Sequence, residues 1–143
     1  MNEQAKASTD LTELVAGLTP VLQPGTFVFC SVFYNADAAE AISVSIGTIR
    51  EDEGMSLILP RTEAVRLGLV FDATFRQITL MVNSSLEAIG LTASVSSALA
   101  REGIAANVVA GTNHDHIFVP TRRAEDAVNV LRELQADAQA HLA

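Results

Sequence analysis

The chain lacks tryptophan, has a single tyrosine and a single cysteine, and holds only nine basic residues among its 143. With one cysteine, Cys30, no disulfide can form within the chain. The fold must therefore be held by its core, as expected in a reducing cytoplasm. Nine Lys and Arg against seventeen Asp and Glu leave a formal charge of -8. Nucleic acid and anionic membrane are both held by clustered basic side chains, and the nearest approach to a cluster is the pair Arg122 and Arg123. Neither is expected as a partner. No apolar run approaches membrane-spanning length, and the opening MNEQAKASTD has no apolar core of the kind a signal peptide needs. The Gly-x-Ser-x-Gly elbow, the phosphate-binding loop and the dinucleotide fingerprint are also missing. No catalytic residue, metal ligand or cofactor is assigned.

What is present is hydrophobic residue, 49% of the chain. That is enough for the core of one ordinary domain or two very small ones. Residues 1–9 are small and polar and read as a flexible tail. Asp10 with Glu13 resembles a capping box, and Leu11, Leu14, Val15 and Leu18 follow at helical spacing. Thr19-Pro20 is expected to end that helix. TFVFCSVFY at 26–34 is β-rich and apolar enough for a buried strand. Residues 35–41 read as a loop, and Ile42, Val44 and Ile46, alternating with serines, as a half-exposed strand. The acidic run REDEG at 50–54 precedes a strand, MSLILP, and then a short helix over 61–67 that Gly68 closes.

Residues 77–120 are the most legible part of the chain. Ile78, Leu80 and Val82 alternate with polar neighbours as on a strand, and 83–90 is a loop. Leu91, Val95, Ala98 and Leu99 then mark a helical stripe stopped by Gly103. A strand over 107–110, a turn at 111–115 and a returning strand over 117–119 complete it. From Ala124 onward, Ala127, Val128, Leu131, Leu134 and Ala138 define a long amphipathic helix.

An internal echo organises these elements. SLILPRTEAV at 56–65 and HIFVPTRRAEDAV at 116–128 are each an apolar strand ending in Pro and followed by a helix start. Upstream, LTELVAGL…TFVFCSV and LTASVSSAL…ANVVAG both read as helix then strand. The chain thus reads as two copies of helix–strand–strand–helix. The fold class expected is α+β, two repeats packed side by side with helices on one face of an antiparallel sheet. The boundaries are residues 10–74 for the first repeat and 75–143 for the second.

REDEG at 50–54, SSLEAIGLTA at 84–93 and NVVAGTNHDHIFVP at 107–120 are similar to motifs of a bacterial family of short tandem ACT-like proteins. The resemblance covers nearly the whole chain from Leu11 to Leu134. It implies two ferredoxin-like βαββαβ units and a non-catalytic regulatory protein that binds an amino acid or a related small effector. The chain departs from a simple tandem in lacking an opening strand in its first copy and a closing strand in its second. Shared or exchanged strands follow from that departure.

Candidate site residues fall mainly in loops. The start of the helix at Leu91 presents unpaired backbone N–H groups and a partial positive charge, which suit a carboxylate. Ser84, Ser85 and Thr92 add hydroxyl groups, and Gly90 permits close backbone approach. Glu87, or Glu53 from the acidic run, would hold an ammonium group. Helix capping by the serines explains the same residues without a ligand. His114, Asp115 and His116 form the most pointed local signal. In extended backbone the two imidazoles share a face about 6–7 Å apart. Two ligands are too few for an ordinary metal site, so bonding within the turn is the simpler role. Asn107 and Asn113 fix turn geometry or line a pocket. Cys30, inside an apolar run, belongs to the core.

Three functions fit the sequence. The first is a homodimeric effector-binding module. The others are an interaction protein assembling through sheet edges and a metal-assisted enzyme built on His114 and His116.

Overall fold

The computed structural model describes residues 10–36, 38–82 and 86–143. Two compact units divide the chain: a central one, Pro24–Arg76, and a terminal one that joins the segment ending at Gln23 to Gln77–Ala143. The expected division at 74/75 follows chain order, whereas packing places residues 10–23 with the second half of the chain.

In the terminal unit, Asp10 caps the first helix by accepting the Glu13 backbone N–H at 3.0 Å. Helix α1 (Leu11–Ala16) buries Leu14, Val15 and Ala16. The chain then does not turn at Thr19-Pro20 but runs straight into strand β1 (Thr19–Leu22). β1 lies antiparallel to β5 (Phe75–Met81), pairing Thr19 with Met81 and Leu22 with Ile78. Pro20 is tolerated because β1 pairs on one side only. Helix α4 (Leu91–Arg101), strand β6 (Asn107–Ala110), strand β7 (Asp115–Pro120) and helix α5 (Ala124–Leu142) follow as their periodicities predict. The strand order is β1-β5-β7-β6. Ile78, Leu80, Ile117 and Val119 meet Val95 and Leu99 of α4 and Val128 and Leu131 of α5 in one core. α1 packs on α5, and Gln135 and Gln139 both donate to the Ala16 carbonyl, at 3.3 and 3.1 Å.

The central unit holds strand β2 (Phe27–Val32), helix α2 (Ala38–Ser43), strand β3 (Gly47–Glu51), strand β4 (Gly54–Pro60) and helix α3 (Arg61–Arg66). β4 lies between β3 and β2, antiparallel to both, and Phe27 of β2 pairs with Phe75. Val28, Cys30, Leu57 and Leu59 pack against Ala41 of α2 and Ala64 of α3. Cys30 is a core residue, as its apolar run predicts.

Three expectations in this region need correction. Residues 38–43 are helical where a loop and then a strand are expected. The serines mislead: they alternate with Ile42 and Val44, but Ser43 and Ser45 donate back to the carbonyls of Glu40 and Ala41, at 2.6 and 2.7 Å. Those bonds finish a helix rather than mark a strand face. The acidic run is exposed and leads into a strand as expected, but it is not a loop throughout: Arg50 and Glu51 lie in β3 and Asp52-Glu53 is the turn of the β3–β4 hairpin. Gly54 closes that hairpin at φ 145°, where an added Cβ would lie 2.5 Å from the Val32 carbonyl oxygen. Finally, the repeat is strand–helix–strand–strand–helix, β2-α2-β3-β4-α3 and β5-α4-β6-β7-α5. The counterpart of α4 is the short α2, not α1. The first copy does have an opening strand, β2, contrary to expectation, and β1 pairs with β5 in the unit of the second copy, which has no closing strand of its own.

Leu18 is fully buried just before β1. Leu18→Ala should cost about 2–5 kcal/mol in denaturant unfolding. Val65→Ala, at a site 55% exposed, should stay within about 0.5 kcal/mol. Equal losses would show that the N-terminal segment does not belong to the core.

Candidate functional site

The terminal unit encloses a cavity of about 80 Å³ between the approach to α4 and the β6–β7 turn. Leu86, Ala88, Leu91 and Thr92 line one side, and Ala110 to Asp115 the other. Since one water needs about 10–15 Å³, this space suits a small polar head group. The turn is tight because the Gly111 N–H donates to the His114 carbonyl at 2.9 Å. A Cβ on Gly111 would lie 2.9 Å from that same oxygen, so the turn requires glycine.

Thr92, Asn113, His114 and Asp115 are thus brought together, with Leu91 as part of the floor and of the core. Glu87 is exposed between two lining residues. Ser84 and Ser85 lie outside the described residues. Nδ1 of His114 is buried and, among the described residues, has no hydrogen-bond partner. A buried polar atom left this way costs free energy unless something fills the site.

Gly90 has a structural explanation. It is the N-cap of α4 at φ 98°, and a Cβ there would stand 3.0 Å from the Leu11 side chain. Its absent side chain lets α1 pack, and Gly90 itself does not line the cavity. Asn107 also turns away from a ligand role, its amide Nδ2 donating across the hairpin to the Phe118 carbonyl at 3.3 Å.

His114 and His116 have separate surroundings. His116 Nδ1 lies 3.0 Å from Thr79 Oγ1 and 3.1 Å from Gln77 Nε2. Gln23 Nε2 donates to that same Thr79 oxygen at 3.0 Å. Thr79 is 3% exposed. The Gln77 amide nitrogen can only donate, so it donates to His116 Nδ1, and the Thr79 hydroxyl must then donate there as well. Nδ1 is therefore an acceptor, and the imidazole is held neutral. Burial pushes the His116 pKa below its ordinary 6.5, neighbouring His114 adds to the effect, and Asp115 opposes it. Among the described residues no group of three or more His, Cys, Asp and Glu stands together to hold a metal ion.

Glu53 lines a second cavity, in the central unit, of about 530 Å³. Ser31, Phe33, Asn35 and Leu69 also line it, and the sequence reading singled out none of these four. Their signal is positional: the β2–α2 loop is the counterpart of the β5–α4 loop, but α2 was hidden.

These units are ACT domains, and the chain belongs to the ACT-domain family, with two such domains in tandem. ACT-domain models match residues 6–76 and 72–133. A Vibrio cholerae protein of unknown function, with transport suggested for it, is similar at 42% identity and a TM-score of 0.79, covering 87% of this chain and 95% of that one. The ligand-free regulatory subunit of aspartate kinase from Thermus thermophilus shares the fold at 10% identity and a TM-score of 0.62, covering 82% and 97%. Aspartokinase III of E. coli, in complex with aspartate and ADP, matches at 14% identity and 0.60, covering 80% of this chain and 32% of that one. No curated protein matches the sequence. Family membership makes the general role regulatory ligand binding, for which ACT domains are typically used without catalysis. No helix among the described residues is long and apolar enough to cross a membrane.

The sign of the His116 shift sets a pH dependence. A base whose pKa is lowered by folding stabilises the fold above its unfolded value of 6.5. That contribution is lost as pH falls below 6.5 through the folded value. The thermal midpoint should therefore drop on acidification from neutral pH, and His116→Asn should flatten the drop. An equally steep profile in the variant would place the titrating group elsewhere.

Proposed function

We propose that the protein is a non-catalytic effector sensor whose terminal cavity takes an amino acid or a closely related zwitterion. The observation that carries this is the unpartnered Nδ1 of His114 in a cavity that also holds Thr92 and Asp115. The first turn of α4 offers backbone N–H groups to a carboxylate, with the Thr92 hydroxyl beside them. Asp115 offers a carboxylate to an ammonium group, and His114 Nδ1 accepts or donates according to its tautomer. The cavity suits the head group, with the effector's side chain directed outward. Ser84 and Ser85, with Glu87, belong to the same proposal as hydroxyl and carboxylate neighbours of the loop.

The protein acts in the cytoplasm as a homodimer, the effector bridging this loop and a neighbouring copy. Binding favours one arrangement over another and so shifts a population. The aspartate-bound aspartokinase fold is consistent with an amino-acid effector. A second reading is assembly with another polypeptide through a sheet edge, favoured by β3, which pairs with β4 alone.

A thermal-shift screen of the twenty amino acids tests the first reading. A ligand at a hundred times its dissociation constant adds about 2.7 kcal/mol, which for a chain of this size raises the midpoint by several degrees. One amino acid should give that rise, and Thr92→Val should weaken its binding about tenfold, the loss of one charge-assisted hydrogen bond. No rise with any of the twenty would remove the proposal and favour the sheet-edge reading.

A further inference from the structure

The central cavity differs from the terminal one in size and in charge. Its volume of about 530 Å³ falls in the usual range of small-molecule pockets, about 300–1,000 Å³. Ala38 and Ala41, 3% and 4% exposed, form a small-residue floor. Phe33 and Val70 line it while remaining 80% and 88% exposed, so apolar surface at the rim stays wet.

Among the described residues, Glu53 is the one charged residue in the lining. Its side chain makes no hydrogen bond or ion pair among the described residues. Arg66 is committed to Glu40 and Glu63, at 2.8 and 2.7 Å. Arg50 lies over the Tyr34 ring at 4.3 Å and donates to its hydroxyl at 2.5 Å. Among the described residues no Lys or Arg lines the cavity, so a carboxylate entering it would meet Glu53 without a cation in the lining, in a chain of net charge -8. An ammonium group has the opposite experience. Glu53 receives it, Asn35 and Ser31 add polar atoms, and an apolar body covers Phe33 and Val70.

The geometry points to a second ligand site in the central unit, selective for a primary amine with an apolar body rather than for a zwitterion. It stands independently of the amino-acid site, since no residue is common to the two linings.

Amide-resolved NMR titration of the full chain with phenethylamine tests this. Saturable shifts are expected at Phe33, Asn35, Leu69 and Val70. Glu53→Gln should weaken binding at least about tenfold, as for loss of a charge-assisted contact, without moving the thermal midpoint. Methylamine, which lacks the body, and phenylalanine, which adds the carboxylate, should each bind at least about tenfold more weakly, a difference of about 1.4 kcal/mol. Thr92→Val should leave the titration unchanged. Equal binding by Glu53→Gln, equal binding of phenylalanine or methylamine, absence of saturable shifts at millimolar amine, or shifts confined to the turn at Thr112–Asp115 would each overturn the assignment.

Discussion

The pairing of β1 with β5 is the constraint on which the terminal unit depends. β5 has β7 on one side, and Thr19–Leu22 covers the other, Pro20 opposite Leu80 and Val21 opposite Thr79. Without that strand, one side of β5 would present unpaired backbone groups to water, an edge that proteins generally protect. The same segment carries α1 onto α5, where two glutamines satisfy the Ala16 carbonyl. Loop-closure entropy for so long a separation grows only slowly with length, and burial of Leu14, Val15 and Leu18 offsets it.

This closure reaches the candidate site through a polar chain. Gln23, one residue beyond β1, bonds Thr79, and Thr79 bonds His116 at the start of β7. Thr79 is buried, so its hydroxyl needs both partners. His116 is two residues past His114, a lining residue of the cavity whose buried Nδ1 has no partner among the described residues. The N-terminal strand, the neutral imidazole and the site turn are thus mechanically continuous within one unit. Under the proposed function, a ligand at the turn would have contiguous contacts leading to the strand that closes the sheet.

Much of this was legible in the residues. The stripes of α4 and α5, the strands ending in Pro60 and Pro120 and the glycine stops at Gly68 and Gly103 follow from periodicity and backbone chemistry. Asn113, His114 and Asp115 are neighbours along the chain, whereas only the fold brings Thr92, some twenty residues earlier, to the same cavity. What was hidden has a common cause. α2 is six residues long with serines bonded back to its own carbonyls, so its period could not show. β1 begins Thr-Pro, a normal helix stop, and only its distant partner makes it a strand. The packing of Gly90 against Leu11 does not show in the sequence, because the two are far apart along the chain. The cavity at Glu53 was missed because its loop precedes the helix that was missed.

The central claim is that residues 10–23 are an integral part of the terminal unit. Native-state hydrogen exchange measures it directly, by comparing the amides of β1 with those of β5 and β7. If β1 closes the unit, the protected amides of all three strands open together, with one free energy and one denaturant dependence. If the β1 amides exchange freely while β5 and β7 stay protected, the strand is an accessory and the account is wrong.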